Sequence, residues 1–133
     1  DHAYQAYGLT PVFLSLNIFH DTEAARQVTA HMKAPYHILD DSAEPELLIA
    51  ALSHMSVVVS MRLHGLIFSS LSGVPLVAGR CIGLKDVTAE NLTAAVDEAV
   101  AQIPRREELR QKALRLQAVQ EENLRAVERL LKK

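Results

Sequence analysis

"VVVSMRLHGLIFSSLSGVPLVAG", residues 57–79, decides the fold. Val57-Val58-Val59 opens a β-branched, continuously apolar run to Met61, the pattern of a strand covered on both faces. Leu63, Leu66, Ile67 and Leu71 then recur at helical spacing, and Ser72-Gly73 stops the helix. Val74–Gly79 supplies the next strand. A strand, a helix and a strand joined by connections this short form a right-handed parallel crossover.

The same alternation extends upstream. Residues 1–11 read as a lead-in segment ending at the breaker Thr10-Pro11, and Val12–Asn17 as a strand. Asp21 or Thr22 caps a helix whose apolar face is Ala25, Val28 and Met32. Tyr36–Leu39 is a short strand, and Asp40-Asp41-Ser42 a polar turn. Pro45 suits the first turn of a helix that buries Leu48, Ala51, Leu52 and Met55. Downstream, Thr88 caps a helix with the face Leu92, Ala95, Val96, Ala99 and Ile103, which Pro104 interrupts. Residues 105–133 read as one long charged helix. Its apolar stripe is Leu109, Ala113, Leu116, Leu124, Val127 and Leu131, broken by Gln120. The near-heptad spacing suits packing across its own domain, or a homodimer seam through this helix. The fold class is therefore α/β. Residues 12–104 are expected to form a Rossmann-like parallel sheet of four or five strands with helices on both faces, followed by the C-terminal helix 105–133.

Composition narrows the function. With 133 residues the chain has the size of one domain, and 23% charged residues against 49% hydrophobic exclude a disordered chain. A net charge of −2 argues against a general nucleic-acid binder. Cys81 is the only cysteine, so no internal disulfide forms. His2, His20, His31, His37, His54 and His64 make no HxH or HxxxH pair, so no metal site is expected, and no cofactor. No apolar run approaches the ~20 residues needed to cross a bilayer. The chain lacks a starting Met and reads as a piece of something longer, or a trimmed one.

Arg62 and His64 stand where the strand at 57–61 hands over to the helix. In an α/β sheet, ligands collect at the carboxyl ends of the strands. The new helix points its unbonded N–H groups to the same spot, which favours an anion. Arg62 adds a planar fork suited to carboxylate or phosphate. His64 can donate a hydrogen bond or exchange a proton near neutral pH, and Gly65 allows close approach to the backbone. On the residues alone, a structural or solvated turn carrying two basic side chains is the commoner use of such a pair. Elsewhere the signals are weaker. Ser60, Ser69, Ser70 and Ser72 lack the Gly-x-Ser-x-Gly elbow of a serine nucleophile. Asp40 and Asp41 suit a turn or cap better than a catalytic pair. The run Gly79-Arg80-Cys81-Ile82-Gly83 lacks dinucleotide spacing, Arg80 reads as a loop residue and Cys81 has no activating partner.

The string Ser60–Ala78 resembles the diagnostic segment of the polysaccharide pyruvyl transferase family, in which a strand runs into Arg-Leu-His, an apolar helix and a Gly-Val-Pro turn. Here these are Met61-Arg62-Leu63-His64, Leu66–Leu71 and Gly73-Val74-Pro75. The resemblance covers roughly residues 10–100. It implies one lobe, the C-terminal one, of a two-lobed fold similar to GT-B glycosyltransferases. It also implies transfer of a pyruvyl group from phosphoenolpyruvate onto a cell-wall or capsular sugar, free or lipid-linked, as a ketal. The cytoplasm, or the inner membrane face, would be the place. Carried over, Arg62, Leu63, His64 and Gly65 bind phosphoenolpyruvate, and His64 is the catalytic residue, either as general acid or as phosphate ligand. Two departures are visible. Past the Gly-Val-Pro strand, a Tyr-Asp-Pro-Lys-like loop gives way to "VAGRCIGLKDVTAENL", where Lys85 reads as coincidence. The N-terminal lobe is missing, so this piece alone is expected not to be catalytically competent. The competing readings are a nucleotide-sugar glycosyltransferase lobe and a non-catalytic assembly module built on the C-terminal helix.

Overall fold

The computed structural model describes residues 1–15, 18–39, 45–78 and 86–131. The lead-in segment carries a helix that the sequence reading does not contain, α1 (His2–Tyr7). It is too short to show a period. Gly8, at φ 67°, turns the chain out of it and returns its N–H to the Tyr4 carbonyl at 2.9 Å. Among the described residues four strands follow, each of three residues: β1 (Val12–Leu14), β2 (His37–Leu39), β3 (Val58–Ser60) and β4 (Leu76–Ala78). Between them run α2 (Ile18–Thr29), α3 (Pro45–His54) and α4 (Leu63–Leu71). After β4 come α5 (Ala89–Ala101), a 3-10 turn at Ile103–Arg105 forced by Pro104, and α6 (Arg106–Leu131).

Among the described residues the strand pairing is parallel, as the short crossovers require. β1 pairs with β2 (Phe13 opposite Ile38), and β3 with β4 (Val59 opposite Val77). The expected single sheet of four or five strands is replaced, among the described residues, by these two separate ladders. Three-residue strands make few ladder bonds, so each pair depends on what packs against it. Leu52, Val58 and Val74 form the buried centre, with Leu48, Met55, Phe68 and Leu76 against it. Leu14 of β1 packs on the same cluster, so the two ladders share a core.

Several faces differ from the periodicity. In α2 the buried positions are Thr22, Ala25 and Thr29, while Val28 is 52% exposed and Met32 lies beyond the helix. The helix starts before Asp21, so neither Asp21 nor Thr22 is its cap. Thr22 satisfies its hydroxyl with Ser15 at 2.8 Å, and Thr29 with the Arg26 carbonyl at 3.2 Å, which lets both be buried. β3 is not covered on both faces: Val58 is buried and Val59 is 56% exposed. α4 buries its small residues, Gly65 and Ser69, and leaves Leu63 and Ile67 exposed. Small residues allow the backbone of α4 to lie close to its neighbours. In α5 the Thr88 cap forms a full capping box with Asn91, and Ala99 is the buried residue.

Arg106, at the start of α6, ties these layers together. Its guanidinium donates to the carbonyls of Ser53 and Met55 at the end of α3 and of Ser72 at the end of α4. Helix ends leave such carbonyls without intrahelical partners, and a cation there is favourable. Farther along α6, Leu109 and Ala113 are half-buried, whereas Leu116 is 70% exposed. The stripe is therefore covered only in part by its own domain.

Candidate functional site

β3 ends at Ser60, and α4 begins at Leu63, so the link is two residues long. Arg62 is the N-cap of α4, in extended conformation. Ser60 fixes it: its hydroxyl accepts from the Arg62 N–H at 3.1 Å and lies 3.3 Å from the Arg62 carbonyl, to which it donates. The first helical N–H groups, those of Leu63, His64 and Gly65, are thereby presented at the carboxyl end of β3. The strand-end geometry inferred from the sequence is present.

The four sequence-selected residues divide into two kinds. Arg62, Leu63 and His64 are exposed, and Gly65 is buried. The Leu63 side chain is 66% exposed. The His64 ring lies against Phe68, with centroids 6.2 Å apart. Arg62 turns toward α2, where Asp21 accepts from Nε at 2.9 Å and from Nη2 at 2.5 Å. This hydrogen-bonded pairing raises the Arg62 pKa further above its already high value, so the guanidinium is a permanent cation.

Asp21 is the residue that the sequence reading misplaced. Forty-one positions separate it from Arg62, and as a polar residue near a helix start it reads as a cap. The two meet only in the tertiary fold, across the α2 and α4 segments of the chain.

The serines are structural. Ser69 is fully buried and donates to the Gly65 carbonyl at 2.7 Å; Ser70 donates to Ile67 at 2.8 Å and Ser72 to Phe68 at 3.5 Å. Hydroxyls spent on the preceding helical turn are poor nucleophiles. Asp40, Asp41, Arg80, Cys81 and Lys85 lie outside the described residues. Among the described residues, no group of three His, Cys, Asp or Glu side chains is placed to hold a metal ion, and no helix is long and apolar enough to cross a membrane.

A cavity of about 800 Å³ opens elsewhere, between α4, β4, α5 and α6, lined by residues such as Ile67, Leu71, Val77, Ala99 and Leu109. Neither Arg62 nor His64 reaches it. Its lysine, Lys112, pairs with Glu108 at 2.7 Å. The cavity is lined mostly by apolar residues and lies away from Arg62 and His64.

Comparison with known proteins gives one match. A family model described as polysaccharide pyruvyl transferase matches residues 1–78. The match spans α1 to the last residue of β4 and includes Asp21 and Arg62–Gly65. No curated protein and no solved structure matches the chain.

Proposed function

The chain belongs to the polysaccharide pyruvyl transferase family, and from that premise we propose that the turn Ser60–Gly65 binds phosphoenolpyruvate as donor for transfer of its pyruvyl group to a sugar. The observation that carries this reading is a permanently charged guanidinium, Arg62, at the N-cap of a nine-residue helix at the carboxyl end of β3. Phosphoenolpyruvate carries a carboxylate and a phosphate. A guanidinium and a helix N-terminus side by side suit two such groups on one small molecule.

The chemistry uses these groups as follows. Protonation of the enol methylene makes it a methyl group and leaves C2 cationic. A sugar hydroxyl adds to C2 and loses its proton. The C2–O bond to phosphate then breaks, and a second hydroxyl of the same sugar closes the ketal, with inorganic phosphate released. Arg62 and the N–H groups of Leu63 and Gly65 hold the anionic donor and stabilise the departing phosphate. His64 is exposed and is the only imidazole on this turn. It serves as proton source or as phosphate ligand; in the two-lobed enzyme, a His64→Gln variant that keeps donor binding but loses kcat identifies the first role.

In this proposal the chain supplies the donor wall of a two-lobed, GT-B-like cleft, and the acceptor glycan is held by a second lobe. The acceptor is a cell-wall or capsular sugar, met in the cytoplasm or at the inner face of the membrane.

Calorimetric titration with phosphoenolpyruvate tests the reading. Binding to the chain is expected to be weak, reduced by His64→Ala and reduced most by Arg62→Ala. Equal binding by all three proteins overturns the donor site. A preference for UDP over phosphoenolpyruvate supports a nucleotide-sugar glycosyltransferase lobe instead.

A further inference from the structure

We infer that Asp21 is a positioning residue for the anion site: it holds the Arg62 guanidinium by one edge and leaves the opposite edge directed at the ligand. The inference rests on the phosphoenolpyruvate reading of Ser60–Gly65. It starts from which nitrogens are engaged. A guanidinium has five N–H donors, one on Nε and two on each Nη. Asp21 takes Nε and Nη2 with its two carboxylate oxygens, at 2.9 and 2.5 Å. That is the side-on fork. The two Nη1 hydrogens and the second Nη2 hydrogen stand outside the pair; that Nη2 hydrogen and the Nη1 hydrogen parallel to it form the end-on fork, which grips a carboxylate or phosphate through two parallel bonds.

The geometry also separates the two charges' roles. Asp21 is the more sheltered partner, with its side chain 24% exposed against 47% for Arg62. Its helix packs on β1, so α2 anchors the carboxylate from behind while the arginine reaches outward. An arginine side chain loses much rotamer freedom on binding a ligand. A guanidinium already fixed by Asp21 has lost that freedom before the donor arrives. The Ser60 hydroxyl fixes the Arg62 backbone at the same time. Main chain and side chain of Arg62 are therefore each held by a separate residue.

A carboxylate beside an anion site has an opposing effect, because it repels the ligand. The two effects predict opposite signs, which makes the inference testable. Phosphoenolpyruvate is titrated into the wild-type chain, Asp21→Ala, Asp21→Asn, Arg62→Lys and the Arg62→Lys/Asp21→Ala double variant, with circular dichroism confirming that each folds. Arg62→Lys keeps the charge but has no fork, so binding stays measurable. Asp21→Ala is expected to weaken binding about 3- to 10-fold. Asp21→Asn, which keeps one acceptor oxygen at the same reach, loses less. In the Arg62→Lys background Asp21→Ala has no weakening effect. Tighter binding by Asp21→Ala, or an equal loss in both backgrounds, overturns the positioning role. Failure of the donor reading looks different: Arg62→Lys and the wild type then bind alike or not at all. The Nε–H resonance of Arg62 tests the tether without any ligand. It is expected to exchange slowly with water in the wild type and rapidly in Asp21→Ala, and an unchanged resonance overturns the inference by itself.

Discussion

Gly73 sits directly beneath Arg110. A Cβ built on Gly73 would lie 2.7 Å from both the Cβ and the backbone nitrogen of Arg110, and closer still to the Arg106 carbonyl. Gly73 also has φ 68°, in the left-handed region. Two independent constraints thus select glycine: the turn from α4 into Val74, and the close approach of α6. Gly73→Ala is expected to cost roughly 2–4 kcal/mol, combining left-handed strain with overpacking against helix backbone that cannot yield. Urea unfolding measures it, and a loss below about 1 kcal/mol would show that α6 moves away freely.

Arg106 makes the reciprocal contact. Three carbonyls from the ends of α3 and α4 accept from its guanidinium, and each would otherwise be a helix-end acceptor short of a partner. Arg106→Met keeps much of the stem but leaves these acceptors unpaired, with an expected loss of about 1.5–3 kcal/mol. Arg106→Lys should recover only part of that, since a single ammonium cannot span three carbonyls on two helices. Full recovery with lysine would mean that charge alone matters and the fork does not.

These two residues also mark where sequence reading succeeds and where it stops. Ser72-Gly73 is legible as a helix stop because a local backbone need selects glycine. The Thr88 cap, the Pro104 break and the Leu48–Leu52–Met55 face are legible for the same reason: each is decided within a few residues. The close approach of α6 to Gly73, the clasp by Arg106 and the pairing of Asp21 with Arg62 join residues 33 to 53 positions apart in the first two cases and 41 in the third. No local period encodes such contacts. The α2 and α4 faces fail differently. Thr22, Thr29 and Ser69 are polar by type, yet buried because each hydroxyl has a near partner. Apolar periodicity points to their neighbours instead. The Arg62–His64 motif is legible as a family resemblance, and the family match covers it.

Ser69 offers a direct check on the buried small face of α4. It is wholly buried, and its hydroxyl bonds the Gly65 carbonyl one turn back. Ser69→Ala removes the hydroxyl and leaves a carbonyl that keeps its helical partner, so the expected cost is about 1 kcal/mol or less. Ser69→Leu must force bulk into a filled position, and roughly 1–3 kcal/mol is expected. If leucine is tolerated as well as alanine, the buried face of α4 is loosely packed.

The tether between α1 and α5 should release at both ends of the pH scale. Asp97 Oδ1 lies 2.6 Å from His2 Nε2 and accepts from the Tyr7 hydroxyl at 2.8 Å, while the His2 and Tyr7 rings meet edge to face. The hydrogen bonds from His2 and Tyr7 hold the Asp97 carboxyl below its ordinary value of 3.8, so the folded contact favours the ionised form. Its contribution is therefore complete above pH 3.8 and is lost as pH falls through the lower, folded value. The Tyr7 hydroxyl moves the other way. Its bond to Asp97 raises it above 10.0, so that contribution is complete below pH 10.0 and is lost as pH rises through the folded value. Both groups are exposed, and the expected result is local detachment of α1, with the core intact. The Tyr7 ring resonances, followed by NMR from acid to alkaline pH, should move with one midpoint below 3.8 and another above 10.0. In Asp97→Asn the acid transition should vanish, because no carboxyl remains to titrate there. An acid transition that persists in Asp97→Asn would assign it to another group and separate α1 docking from Asp97.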